Sequence, residues 1–138
     1  MGKRSPKAEE QSLGKYVYCV IRSPPEKKSF GDLGFDGGEV YTLDYKDFAP
    51  VVSDAKVREY AVDEADVYVH RHVVDEVMKE HDVLPVAYGM IFKNRKLLMI
   101  AMGAGYTAMA KAADVVSGKV ELGIKVFLPK EVKNWNGK

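Results

Sequence analysis

Three histidines are the first side chains in this chain that invite chemistry. His72 and Glu76 stand one helical turn apart, as do Asp66 and His70, and His81 follows closely. Imidazole and carboxylate at that spacing can share a metal ion, but a zinc site needs three or four ligands converging in space. One cysteine and no second histidine cluster leave such a set incomplete, so no metal site is expected and the histidines read as a solvated or half-buried helix face. Gly103-Ala104-Gly105 resembles a phosphate loop only superficially. A dinucleotide fingerprint follows a strand and needs a third glycine three residues on, where this chain has Ala108. A break between two helices is the better account. No glycine-framed serine supplies a nucleophile, and Glu121 and Lys125 read as charges on the wet side of a strand. The expectation is no catalytic residue, no cofactor and no enzyme activity.

The composition is that of an ordinary globular protein of one domain. At 138 residues the chain can bury roughly two thirds of its unfolded surface. The 21 basic and 20 acidic residues nearly cancel, whereas a protein that neutralises many phosphates carries a basic excess. Nucleic acid is therefore not an expected partner. Cys19 has no partner for an internal disulfide and no adjacent activator, so it reads as a small buried hydrophobe in a reducing setting. No apolar run approaches the roughly 18 residues that span a bilayer, and residues 1–14 lack the apolar stretch of a signal peptide. A cytoplasmic protein without a membrane partner is expected.

The elements that must position any site follow from periodicity. Residues 1–14 read as a mobile polar tail. Tyr16 to Ile21 is apolar at both parities, so it should be a central strand covered on both faces. Glu26 to Gly38 reads as a glycine-rich loop, with Phe30, Leu33 and Phe35 tucked inward. Val40 to Leu43 is a strand, Asp44 to Phe48 a turn of helix, and Ala49 to Ser53 a strand with Pro50 at its start or on an edge. Asp63 caps a helix whose apolar side carries Val69, Val73 and Val77.

Val83 to Phe92 is the next strand, with Gly89 within it suggesting a bulge or a close backbone approach. Asn94 caps a helical region, and a second helix from Tyr106 ends at Ser117-Gly118. Val120, Leu122, Ile124 and Val126 then alternate with polar residues as a last strand. The order β, β, β, α, β, α, β points to an α+β fold, a modified ferredoxin-like arrangement with a mainly antiparallel sheet and helices packed on one face. Such a sheet can stack RNA bases on aromatics like Tyr16, Tyr18, Tyr88 and Phe127. The strand Ala87-Tyr88-Gly89-Met90-Ile91-Phe92 lacks the basic character of those modules.

Five blocks carry a family resemblance. Tyr16 to Ile21 resembles the first strand of the gas vesicle GvpL/GvpF family, and Phe48-Ala49-Pro50-Val51-Val52-Ser53-Asp54 its second block. His70 to Met78 is similar to the family helix, and Val83-Leu84-Pro85 with Gly89 and Phe92 to its next strand. Gly118-Lys119-Val120-Glu121-Leu122-Gly123-Ile124-Lys125-Val126-Phe127 matches the last block almost position for position. The blocks fall in family order across residues 16–128.

The resemblance implies a domain over 15–128, with a basic tail over 129–138. It implies a non-enzymatic accessory or minor structural protein that binds the small gas vesicle shell protein and other gas vesicle proteins. Tyr88, Phe92 and Phe127, bulky residues at strand ends beside these blocks, are the candidate partner contacts. The alternative is a ferredoxin-like regulatory or small-ligand-binding domain, which would show a pocket with convergent polar groups.

Overall fold

The computed structural model describes residues 13–119, with the side chains of 116–119 left aside. The expected last strand, Phe127 and both tails lie outside that range, except that the first strand begins at Leu13. The elements are β1 (Leu13–Arg22), β2 (Ser29–Gly31), a 3₁₀ turn (Phe35–Gly37), β3 (Val40–Thr42) and β4 (Phe48–Lys56). Helix α1 (Glu64–Met78), β5 (Leu84–Pro85), β6 (Ile91–Phe92), α2 (Arg95–Ala104) and α3 (Tyr106–Lys119) follow.

All strands pair antiparallel in the order β2-β3-β4-β1-β5, and β6 also pairs with β1. β5 and β6 are thus two pieces of one line along the same side of β1. Between Pro85, opposite Cys19, and Ile91, opposite Tyr16, the chain spends six steps where β1 spends three. The excess forms the bulge that Gly89 signalled, and Gly89 has φ +91°.

The two parities of β1 feed two separate cores. Tyr16, Tyr18, Cys19 and Ile21 face Val73, Val74 and Val77 of α1. Val17 and Val20 face Leu98 of α2, Met102 and Ala113. A central strand covered on both faces is what the sequence showed, and it requires helices on both faces. The α+β antiparallel fold stands, but α1 lies on one side of the sheet and α2 with α3 on the other, instead of all on one face. Tyr18 and Cys19 both point to the first core because a bulge falls between Val17 and Cys19.

Three local expectations change. Residues 44–48 make a tight turn between β3 and β4, with Tyr45 and Phe48 exchanging backbone hydrogen bonds and Lys46 at φ +54°. Pro50 is buried within β4, an interior strand. Its carbonyl accepts from the Leu43 amide, so its missing N–H faces the side where β3 has already ended. The final helix runs to Lys119, through the expected stop at Ser117-Gly118.

Other signals are realised as read. Asp63 caps α1 by accepting from the Asp66 amide at 2.9 Å, and Asn94 caps α2 through the Leu97 amide at 2.9 Å. α2 and α3 part at Gly105.

Candidate functional site

A buried polar chain ties α1 to the bulged edge. Tyr16 is fully buried, its ring 4.8 Å from both Tyr18 and Phe35 and 5.0 Å from Tyr60. Its hydroxyl accepts from the Gly89 amide at 2.8 Å and lies 2.9 Å from His70 Nδ1. The assignment that satisfies both groups has Tyr16 donating to Nδ1, which puts the imidazole proton on Nε2. That Nε2 is buried and has no partner among the described residues.

Burial pushes the His70 pKa down to about 4; the Val86 backbone, near the ring but outside hydrogen-bonding geometry, works weakly the other way. Burial likewise raises Tyr16, and pushes Tyr18 up to about 12 against its hydrogen bond with Ser53 at 2.7 Å.

His70 was expected on a solvated or half-buried helix side and is instead only 2% exposed. Its place was legible after all, since it sits three and seven residues before Val73 and Val77 on the apolar face. What the sequence lacked was its partner, 54 residues away. His72 stacks on Tyr68 at 5.5 Å and His81 meets the edge of Phe30 at 6.0 Å. Among the described residues no three His, Cys, Asp or Glu side chains group to hold a metal.

The partner-contact candidates fall apart in space. Tyr88 packs half-buried against the first core and donates to the Ala61 carbonyl at 2.6 Å. Phe92 packs against the second core. They therefore stand on opposite faces of one interrupted edge, while Phe127 lies outside the described residues. Tyr16 and Tyr18 are fully buried, so neither can stack a base. Cys19 is also fully buried, and burial pushes its thiol pKa far up.

On the second face Asp54 holds Lys15 at 2.8 Å and Tyr41 at 2.6 Å. Burial there favours the neutral carboxyl, yet those two donors outweigh it and keep Asp54 below its usual range. A cleft of about 220 Å³ opens between the end of β1 and α3, rimmed by Arg22, Glu80, His81 and Asp82.

This architecture resembles the crystal structure of the gas vesicle protein GvpF from Anabaena sp. PCC7120. The TM-score is 0.62 at 23% identity, covering 73% of this chain and 42% of that one. Gas vesicle protein F1 of Halobacterium salinarum is 36% identical over 118 residues, which is 83% of this chain and 54% of the relative. Gas vesicle protein F of Haloferax mediterranei is 37% identical over 121 residues, or 84% and 55%. The family model described as gas vesicle synthesis protein GvpL/GvpF matches residues 14–135. The chain belongs to the GvpL/GvpF family.

The GvpL/GvpF match spans β1 to α3 and hence both cores, together with the Tyr16–His70–Gly89 chain. This GvpL/GvpF chain covers about half the length of the curated relatives it matches. No helix among the described residues is long and apolar enough to cross a membrane.

Proposed function

We propose that this chain is a non-enzymatic accessory or minor structural protein of gas vesicle formation. It binds the small shell protein, or other vesicle components, in the cytoplasm during assembly. The observation that carries this reading is the family match over 14–135, to a model described as a gas vesicle synthesis protein.

The physical logic is that of a holder. A small apolar subunit prone to self-association is kept available by a partner that offers an apolar surface or a strand edge. The bulged β5–β6 line is our first choice for that contact, with Tyr88 and Phe92 as its candidate residues; Phe127, outside the described residues, remains a candidate from the sequence alone. Because Tyr88 and Phe92 flank the edge from opposite faces, a partner touching both grips the edge itself.

The ligand-binding alternative gains little from the cleft beside α3. Its roughly 220 Å³ falls below the range of about 300–1,000 Å³ for small-molecule sites, and two of its charges are engaged elsewhere. Glu80 pairs with Lys28 at 2.7 Å and Arg22 with Asp114 at 3.8 Å.

Affinity capture of the tagged full chain, co-expressed with a gas vesicle shell protein, tests the proposal. Stoichiometric shell subunit in the eluate is expected, and Phe92→Asp in a still-folded chain should deplete it. Recovery of the chain alone contradicts shell binding, and undiminished capture by Phe92→Asp removes the edge from it.

A further inference from the structure

The arm formed by α2 and α3 carries two apolar stripes, where a surface helix ordinarily carries one. Leu98, Met102 and Ala113 face the sheet and are buried. A second series, Leu97, Ile100, Ala104, Ala108, Ala112 and Val115, advances by three or four residues along the opposite side. The helical ladder continues across the break, since Gly105 donates to Ala101 and Met109 donates to Gly105. This outer stripe is open: Leu97 is 43%, Ile100 59% and Val115 49% exposed, and the three alanines are exposed as well. Large residues at the ends and small ones in the middle make a shallow trough that a second helix can approach closely.

Charge is concentrated at one end of this trough, although Lys111 is also exposed beside its far half. Lys93, Arg95 and Lys96 are exposed at the start of α2, whose first turn has no acidic residue. None of the three forms an ion pair among the described residues. Cations at a helix N-terminus oppose the helix dipole, so helix stability does not account for their placement. Acidic groups on a partner do.

We propose that the outer stripe of α2–α3 docks an amphipathic helix of another protein, seated along Ala104, Ala108 and Ala112, with its acidic residues over Lys93, Arg95 and Lys96. This surface is distinct from the β5–β6 edge and does not depend on that edge binding a vesicle component.

The test uses the full chain and two synthetic helical peptides of about eighteen residues. Both share one leucine–alanine face, flanked by glutamates in one and lysines in the other. The glutamate peptide should bind at least about tenfold tighter at low salt, with the margin shrinking as salt rises. Ala108→Arg should abolish that binding while leaving the melting temperature unchanged, because arginine is a good helix former at an exposed position. Replacing Lys93, Arg95 and Lys96 by glutamine should remove only the charge preference.

Equal binding of the two peptides, or binding indifferent to Ala108→Arg, overturns the proposal. So does a dimer that Ala108→Arg dissolves, which would make the occupant a second copy. A sharp drop in melting temperature for Ala108→Arg also overturns it, because the stripe would then be covered by the chain itself.

Discussion

His70 couples the stability of this fold to pH. The ring is buried and neutral, with a pKa near 4 where an unfolded histidine titrates near 6.5. Between those values the unfolded chain binds the proton and the folded one does not, so stability is complete above about pH 6.5 and falls on acidification toward pH 4. The span corresponds to roughly 3 kcal/mol. Carboxylates held low by their donors, such as Asp54 with Lys15 and Tyr41, add their own loss only at the acid end of that window. Urea unfolding at intervals from pH 7.5 to 4.5 should show the decline, and His70→Gln, though less stable at neutral pH, should flatten it. An unchanged slope in that variant would assign the effect to other groups.

At the scale of elements, the bulge between β5 and β6 depends on two residues. Tyr16→Phe removes the hydroxyl that satisfies both the Gly89 amide and His70 Nδ1, and an orphaned buried group costs about 1–3 kcal/mol. A loss of about 2–4 kcal/mol is expected, with the Gly89 amide exchanging faster than those of β1. Gly89→Ala meets no steric obstacle, since nothing lies within 4 Å of an added Cβ, but its φ of +91° disfavours a side chain. It should cost about 1 kcal/mol. Chemical denaturation of both variants checks the order, and a larger effect for Gly89→Ala would contradict it.

Much at this scale was legible from residues alone. Asp63 and Asn94 announced their helices by cap chemistry, Gly89 its bulge, and Gly103-Ala104-Gly105 the break between α2 and α3. Two of the misreadings, at Pro50 and His70, depended on a neighbour remote in sequence. Pro50 is tolerated inside the sheet because β3 stops beside it. His70 is tolerated inside the core because Tyr16 reaches it.

For the whole molecule, β1 decides the architecture. Apolar at both parities, it demands cover on both faces, and α1 on one side with α2–α3 on the other supply it. The function was legible only as a resemblance, because no motif in the sequence names a chemistry. Five blocks in order pointed to the GvpL/GvpF family, and the match over 14–135 places the chain there. A partner-binding surface is the part that residues alone left most open. Bulky residues at strand ends resemble a binding surface and a core equally, and the fold sends Tyr88 and Phe92 to opposite faces.

A role in gas vesicle formation is the central claim, and counting vesicles tests it most directly. The coding sequence would be deleted from its own host and restored in trans, with vesicles per cell counted by electron microscopy. Vesicles that vanish or become few and misshapen on deletion, and return on restoration, are the predicted result. Unchanged vesicles after deletion, or a host that makes none under any growth condition, would contradict it.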